Sequence, residues 1–402
     1  MTAINSNQSG HKLFVCCGVH IIQDGLVALQ YVLLPLLAQS LGLSYAQVGL
    51  LRALSNSAMS ILELPAGILA ERFGERRLLI LGLIMAALGY LGVAVSSSFG
   101  WIALFFLLTG AGAGFQHSLA SAILVKTFDS AQKRRALGTY NASGDAGKLG
   151  FTGLFSLGIG AGFAWSGIIT LLSLLAIVFA VIIWKLLPHD QPRAGRGGGS
   201  HPALGWVQRW GIKKPRQFTM LAAVVSLDSI VQSVFLTFLA FVLLEKGASA
   251  QTASFAVVLA LCGGMAGKFC CGFLTARFGD HRPFVLIQLF TIAGLAGMIL
   301  MPVTAILVAL PLIGLVVQGS TTVTYGVISD HVEATHQSRG FALIYSISGI
   351  ATVFGPFVFG LVADWRGLDA VLWILCALTA VSIGLASFLK HAETKLEGPA
   401  ID

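Results

Sequence analysis

The stretch GILAERFGERR, at residues 67–77, lies between two long apolar segments of the chain. A similar stretch, GFLTARFGDHR, occupies residues 272–282, about 205 positions later, and it also lies between apolar segments. Both stretches place a glycine, Gly74 or Gly279, among charged residues, and glycine permits tight turns that other residues disfavour. The repeat predicts a chain built from two similar halves, each with a charged loop at the same position.

Outside these loops the chain is too apolar for a water-soluble protein. Hydrophobic residues make up 56% of the 402 residues and charged residues 10%, whereas an ordinary soluble domain is roughly 25% charged. This composition excludes a disordered chain, a disulfide-rich secreted scaffold and an ordinary soluble enzyme. It predicts a protein whose solvent is the lipid bilayer.

The apolar residues gather in about twelve segments, each long enough to cross roughly 30 Å of hydrocarbon as an α-helix. The segments are continuously apolar, whereas the strands of a membrane β-barrel alternate apolar and polar residues. We therefore predict an all-α membrane protein with twelve transmembrane helices. The expected cores of these spans are residues 13–39, 46–70, 78–97, 101–125, 137–162, 166–187, 218–244, 250–275, 284–302, 305–328, 340–363 and 368–389.

The longest polar stretch, residues 188–216, separates the sixth span from the seventh. It is rich in glycine and basic residues, which is typical of a linker between domains. It divides the chain into an N-terminal six-helix half, residues 1–187, and a C-terminal six-helix half, residues 217–402. Two further pairs match between the halves at nearly the same offset: Asp24 with Asp228, and Gly110 with Gly314.

The distribution of basic residues predicts the orientation in the membrane. An even number of spans places both termini on one side. If that side is the cytoplasm, all but five of the 25 Lys and Arg residues fall in cytoplasmic tails, loops and helix ends. This is the positive-inside pattern, and it accounts for the net charge of +8 without nucleic acid. We predict a bacterial-type inner membrane protein with both termini in the cytoplasm.

The first loop resembles the pattern G-x-L-a-D-r-x-G-r-[RK] of the major facilitator superfamily, with Glu71 at the usual Asp and Ala276 at that position of the second copy. The resemblance implies two pseudo-symmetric six-helix halves that rock about a central site. It also implies that the loops act as a cytoplasmic gate, although the charges alone would also set topology. The implied gate residues are Gly67, Glu71, Arg72, Gly74, Arg76, Arg77, Arg277, Gly279 and Arg282.

A narrower resemblance concerns spans one and four. The sequence His20-x-x-x-Asp24-Gly25, with the glycine-rich run that ends at His117, is similar to the fosmidomycin-resistance-like branch of bacterial efflux proteins. That branch implies export. However, many antiporters of the superfamily carry a Gly-Pro element in span five, and this span contains four glycines but no proline.

Charged side chains inside the spans are the main functional candidates, because each costs a few kcal/mol in hydrocarbon. They lie on spans one, two, five, seven and eight, and His117 lies on span four. Away from their ends, spans three, six, nine and twelve have no charged residue or histidine, and the resemblance places those four helices in the outer layer. The buried charges are Asp24, Arg52, Glu63, Asp145, Lys148, Asp228 and Lys268.

The spacing of these residues suggests roles. His20 and Asp24 are four residues apart and share a helix face. Burial favours the neutral form of a carboxyl group and an imidazole titrates near neutral pH, so this pair is a candidate for proton transfer, although it could also serve only helix packing. The predicted proton-coupling and substrate residues are His20, Asp24, Arg52, His117, Asp228, Gln232, Gln318 and Tyr325.

A second group is predicted to form charge pairs between the halves: Glu63, Asp145, Lys148 and Lys268. Asp145 pairs either with Lys148, three residues along the same helix, or with Lys268 in the other half. If the lysines are used in this way, Arg52 remains as a fork-shaped donor for a carboxylate or phosphonate. An anionic substrate is therefore favoured.

No nucleotide-binding motif, metalloprotease motif or Cys/His metal cluster is present in the sequence. We therefore predict no enzyme activity, no cofactor and no metal. The predicted function is proton-coupled efflux, by antiport, of a small anionic or amphiphilic compound, carried out by a monomer. Two alternatives remain: proton-coupled uptake of an organic anion by symport, and a membrane sensor or scaffold that transports nothing.

Overall fold

The computed structural model describes residues 6–187, 212–328, 331–333 and 337–397. Within these ranges the chain is almost entirely α-helical, and the only β-pairing found there is an isolated bridge between Ile212 and Val332. The predicted linker lies largely outside the described residues, because residues 188–211 are not among them.

Seven helices precede the linker and six follow it in the described part of the chain. The first seven are α1 (Ser6–Leu41), α2 (Tyr45–Phe73), α3 (Glu75–Val95), α4 (Phe99–Ala113), α5 (His117–Thr127), α6 (Ser130–Gly160) and α7 (Trp165–Leu186). The later ones are α8 (Pro215–Glu245), α9 (Ala250–Phe278), α10 (His281–Leu300), α11 (Val303–Ile328), α12 (Gln337–Arg366) and α13 (Leu368–Glu397).

Most of these helices are long and apolar enough to span a bilayer. Ten segments meet that requirement among the described residues, or eleven if α2, which bends by 54° near Pro65, is one span. Helices α4 and α5 form a single such segment, Phe99–Thr127. Helix α6 has 31 residues, more than the about 20 needed to cross, but polar residues such as Asp145 and Lys148 lower its hydropathy. The predicted all-α membrane fold is confirmed.

The fourth predicted span differs in detail from the expectation of one continuous helix. It breaks between Ala113 and His117. The glycines before the break are in close contact with other helices: a Cβ on Gly110 would lie 2.0 Å from the Ser55 carbonyl oxygen, and one on Gly112 would lie 2.4 Å from the Gly82 carbonyl oxygen. Glycine packs closely in this way but weakens a helix, which accounts for the interruption.

The helices pack into two compact units, Met1–Gly197 with Ser249–Val258, and Gly198–Ala248 with Leu259–Asp402. In the first unit, α1 packs along α6, and α3 packs against α4 and α7. In the second unit, α8 packs against α11, α12 and α13, while α10 packs against α11 and α13. Each unit therefore contains helices that are surrounded by other helices, and these carry the candidate sites.

The internal repeat is visible in the backbone conformation. Among the described residues, every residue with a positive φ is a glycine, and these glycines form three pairs that are each 205 positions apart. A left-handed backbone of this kind is readily adopted only by glycine. The pairs are Gly42 with Gly247, Gly74 with Gly279, and Gly162 with Gly367, with φ values between 63° and 86°.

Candidate functional site

Asp24, near the middle of α1, lies at the centre of a cluster of polar side chains in the first unit. The Nε2 atom of His20 is 3.3 Å from its Oδ2, and the Nζ atom of Lys148 is 3.2 Å from the same oxygen. The Nε2 atom of His117 is 3.6 Å from Oδ1. Asp24 is only 7% exposed. Helices α1, α5 and α6 thus bring three ionisable groups together around one buried carboxylate. Together with Asp145, which contacts Lys148, we call these residues the Asp24 cluster.

The orientation of His20 is set by helix α6. Its Nδ1 atom is 2.7 Å from the backbone carbonyl oxygen of Tyr140, and its ring stacks on the Tyr140 ring with 4.1 Å between centroids. A carbonyl oxygen only accepts hydrogen bonds, so Nδ1 carries the hydrogen and donates it. The ring reaches α6 because residue 144 is glycine: a Cβ there would lie 2.4 Å from Nε2 of His20.

The Asp24 cluster is closed on one side and accessible on the other. The side chains of His20 and Asp24 are 6% and 10% exposed, whereas those of His117 and Lys148 are 38% and 32% exposed. Lys148 also donates to Asp145, with 3.3 Å between Nζ and Oδ1. A small molecule that entered the cluster would therefore meet His117 and Lys148 first.

The cluster changes its net charge as the histidines bind protons. With both imidazoles neutral, the carboxylates of Asp24 and Asp145 exceed the Lys148 ammonium by one negative charge. One proton on His20 or His117 makes the cluster neutral, and a second makes it positive. The cluster can therefore gain or lose a proton on each histidine while its net charge stays between −1 and +1.

Three residues of the cluster have the side-chain types that bind metal ions. The ligand atoms of His20, Asp24 and His117 lie within 4.8 Å of one another, which is close enough to share an ion. However, the Lys148 ammonium already contacts the Asp24 carboxylate and supplies a positive charge there. The donor set is better suited to ion pairing and proton exchange, and we do not assign it to a metal.

Arg52 on α2 is engaged by uncharged groups on α1. Its Nη1 atom donates to Oε1 of Gln30 at 2.6 Å and to the Val27 carbonyl oxygen at 3.3 Å, while Nη2 donates to the Tyr31 hydroxyl at 2.5 Å. The residue is 4% exposed, so in this conformation it holds α1 and α2 together. Its predicted role as a ligand for a substrate carboxylate stays a prediction and requires these bonds to open. Glu63, further along α2, is partly buried.

Asp228 on α8 lies in a second polar cluster, in the second unit. Its carboxylate accepts hydrogen bonds from Gln232 at 2.8 Å, from Gln288 on α10 at 3.1 Å and from the hydroxyl of Ser320 on α11 at 2.8 Å. Gln232 also donates to the Thr321 hydroxyl at 2.7 Å. Asp228 is 4% exposed, and uncharged donors satisfy its carboxylate.

The remaining predicted residues of the second half are Gln318, Tyr325 and Lys268, and fewer of their contacts are described. Gln318 on α11 donates to the Ala260 carbonyl oxygen at 3.3 Å. Tyr325 belongs to α11, but its side chain lies outside the described part of the structure. Lys268 lies on α9 in the second unit and Asp145 lies in the first, so their pairing stays a prediction.

The predicted gate loop is organised around Gly74, whose φ is 86° between α2 and α3. Arg76 is buried and donates to the Trp184 carbonyl oxygen, while Lys126 pairs with Glu75. These contacts tie the loop to α5 and α7, and the gating role stays a prediction. The other predicted gate residues are exposed: Gly67, Glu71, Arg72, Arg77, Arg277, Gly279 and Arg282.

Several residues of these sites are not evident from the sequence. Tyr140 contributes its backbone and ring to His20, while Gln288 and Ser320 contact Asp228. These residues are uncharged, so a search for charged residues within the spans does not find them. Gln288 carries a signal that could have revealed it, since it is an isolated amide in an otherwise apolar span. No comparable signal marks a backbone carbonyl.

Comparison with known proteins shows which family has this arrangement. The chain is 24% identical over 396 residues to the hexuronate transporter of Bacillus subtilis, with 91% of this chain and 92% of that protein covered. It is 22% identical over 420 residues to the 4-hydroxybenzoate transporter PcaK of Pseudomonas aeruginosa, with coverage of 95% and 93%. The solved structure of a variant of the nucleoside transporter NupG has a TM-score of 0.80 at 14% identity, with coverage of 94% and 99%, a likeness of fold.

The family model described as Major Facilitator Superfamily matches residues 16–324 and 221–401. The two matched ranges together include nearly the whole chain; the first includes both copies of the repeated loop, and the second includes the later copy. The chain therefore belongs to the Major Facilitator Superfamily and is a multi-pass membrane protein that acts as a secondary transporter.

Proposed function

We propose that the protein is a proton-coupled transporter of a small organic anion in a bacterial inner membrane, with both termini in the cytoplasm. Its halves, residues 1–187 and 217–402, would expose the substrate site alternately to the two sides. The observation that carries this proposal is the Asp24 cluster, in which two histidines, a lysine and two carboxylates are in contact within one unit.

The hydrogen bond from His20 to Tyr140 supports proton binding. Because Nδ1 donates to the carbonyl oxygen, a neutral His20 would direct the lone pair of Nε2 at the Asp24 carboxylate, 3.3 Å away. Two acceptors at this distance repel each other unless a proton lies between them. The arrangement is therefore favourable when His20 is an imidazolium or Asp24 is protonated, and the cluster is built around one bound proton.

The charge of the protonated cluster supports an anionic substrate. With both histidines protonated the cluster carries one net positive charge, which an organic anion neutralises. A neutral complex crosses the low-dielectric interior of the protein at a lower free-energy cost than a charged one. Hexuronate and 4-hydroxybenzoate, named for two relatives, are both small carboxylates, and this supports the same class of substrate.

This count of charges on the protonated cluster favours symport, whereas the sequence predicts export by antiport. In symport, proton and anion bind to the same state, as charge neutralisation requires. In antiport, the anion would bind to the state that has lost its proton. The similarity of the His20-x-x-x-Asp24-Gly25 sequence to efflux proteins is the observation that favours export, and the two directions are distinguished by experiment.

The test is transport into proteoliposomes with an imposed pH gradient. The substrates are a hexuronate, 4-hydroxybenzoate and an uncharged hexose. We expect accumulation of at least one anion when the outside is acidic, none without the gradient, and no accumulation of the hexose. Anion expulsion from loaded vesicles into an acidic exterior would instead support antiport. Absence of gradient-dependent flux for every anion would contradict the proposal and favour a sensor or scaffold.

We expect the affinity for the anion to increase as pH falls, because the anion binds the protonated cluster. Linkage predicts a change of up to about tenfold per pH unit for each proton taken up with the anion. Binding to purified protein, measured by calorimetry between pH 5 and pH 8, checks this. A pH indicator in weakly buffered solution should report proton uptake when the anion is added. Proton release would indicate antiport.

Gly144→Ala should disrupt the Asp24 cluster from the α6 side. The new Cβ would lie 2.4 Å from Nε2 of His20, so the ring must leave either the Tyr140 carbonyl or Asp24. We expect loss of gradient-driven uptake and a weaker pH dependence of anion binding. Gly150→Ala, on the same helix, is the matched control, because its Cβ would meet nothing within 4 Å. Equal activity of the two variants would contradict this positioning of His20.

A further inference from the structure

We propose that the polar cluster around Asp228 binds a sodium ion, at a site formed by the Asp228 carboxylate and the hydroxyls of Ser320 and Thr321. Gln232 and Gln288 complete the site. It lies within the second unit and is distinct from the Asp24 cluster, so it goes beyond the proton-coupled transport proposed above.

The position of the Gln232 side chain indicates where the ion would lie. Its Nε2 atom is 2.8 Å from Oδ2 of Asp228, 2.7 Å from Oγ1 of Thr321 and 3.3 Å from Oγ of Ser320. Three oxygen atoms from two helices thus surround one nitrogen, which carries only two hydrogens. The amide nitrogen therefore occupies a position where the surrounding oxygens would stabilise a positive charge. Rotation of Gln232 would open this place to a cation and offer its own oxygen as a fourth ligand.

The charge of the site matches a monovalent ion. In the part of the chain that the structure describes, no lysine, arginine or histidine pairs with Asp228; its partners are Gln232, Gln288 and Ser320. A single carboxylate is balanced by one positive charge. A divalent ion would leave an excess charge buried in the hydrocarbon, which is costly.

The chemistry of the ligands favours a hard cation. All the candidate ligand atoms are carboxylate, hydroxyl or amide oxygens, the donors that hard cations prefer over softer metals. A proton needs only one acceptor, whereas the oxygens here converge from α8 and α11. Ser320 and Gln288 are 0% and 2% exposed, and Gln232 and Thr321 are partly exposed, so an ion would enter from the side of Gln232 and Thr321.

The repeat makes the difference between the two halves informative. Asp228 lies on the helix of the second half that corresponds to α1, within one residue of the position that matches Asp24 at the offset of 205. Asp24 is neutralised by the Lys148 ammonium at 3.2 Å, and Asp228 is held by neutral donors. Corresponding helices of the two halves thus each carry a buried aspartate, which a protein cation neutralises in the first half and an ion from solution would neutralise in the second.

The experiment measures sodium binding to the purified full-length protein in detergent, without transport. Thermal unfolding is followed while sodium chloride replaces potassium chloride or choline chloride at constant ionic strength, at pH 8. We expect sodium to raise the unfolding midpoint of the wild type, saturating with concentration, and neither control salt to do so. Asp228→Asn should abolish the sodium-dependent shift. Thr321→Val should weaken the apparent affinity by about tenfold or more, which corresponds to about 1.4 kcal/mol.

Thr324→Val is the matched control, because its hydroxyl donates to the backbone carbonyls of Ser320 and Thr321 on its own helix and contacts none of the proposed ligand atoms. It should keep the sodium-dependent shift. The proposal is overturned if the wild type shows no sodium-specific shift, or if Asp228→Asn retains it. A shift produced by lower pH and not by sodium would also overturn it and assign the site to a proton. Sodium binding does not depend on anion transport, so its failure is distinguishable from failure of the proposed function.

Discussion

Asp24→Asn should reduce pH-gradient-driven anion uptake to the level of vesicles without protein. Asparagine has nearly the shape of aspartate but no negative charge, and it cannot take up a proton. The His20 and Lys148 side chains, 3.3 and 3.2 Å from Oδ2, would lose the group that balances their charge. Proton binding at the cluster would then cost more, and the gradient would no longer drive the anion.

The same substitution has an opposite effect on binding without a gradient. Removing one negative charge lets a single protonated histidine give the cluster the net positive charge that the wild type reaches with two, so anion binding should require one proton fewer and extend to higher pH. Calorimetry should show a shallower pH dependence in Asp24→Asn than in the wild type. Ser143→Ala is the matched control: it removes a nearby hydroxyl that donates to the Tyr140 carbonyl oxygen without changing the charge. Uptake in Asp24→Asn equal to that of the control would exclude Asp24 from proton coupling.

The fold was largely predictable because the bilayer imposes a strong pattern on the sequence. Long continuous apolar segments predict helices in that solvent, and the repeated loop predicts two similar halves. The break between α4 and α5 was not predicted. It depends on the close approach of Gly110 and Gly112 to carbonyl oxygens of other helices, which a single sequence does not reveal.

The candidate sites were predictable only where the contact lies within one helix. A spacing of four residues places His20 beside Asp24, and a spacing of three places Asp145 beside Lys148. The contact between Asp24 and Lys148 joins α1 to α6 and depends on the packing of these two helices. That packing requires glycine at position 147, because a Cβ there would lie 2.1 Å from the Ile21 carbonyl oxygen.

Arg52 shows a different limit of sequence reasoning. Counting buried charges suggested that it was left without a partner and was therefore available to a substrate. Its partners are the neutral groups of Gln30, Val27 and Tyr31, which a count of charges does not include. A buried guanidinium can be satisfied by uncharged acceptors, so charge balance alone does not identify a substrate ligand.

Lys148→Met should have the largest effect on stability, because it removes the ammonium that contacts both Asp24 and Asp145. Breaking a buried ion pair from one side costs about 3–5 kcal/mol, since the other charge stays buried without a partner. The 32% exposure of the Lys148 side chain places the expected loss near the lower end of that range. Thermal unfolding in detergent should show a lower midpoint and a lower yield of folded protein.

A second substitution separates this loss of charge pairing from a loss of packing. If unpaired negative charge is the cause, adding Asp24→Asn to Lys148→Met should recover part of the stability, because only Asp145 then remains unpaired. If lost packing is the cause, the two substitutions should add. Lys126→Met is the matched control: its pair with Glu75 involves a lysine side chain that is 59% exposed, and exposed pairs contribute about 0–1 kcal/mol. An equally mild effect at Lys148 would mean that water already solvates the cluster. The carboxylates of Asp24 and Asp145 would then not need the Lys148 ammonium to be stable inside the protein.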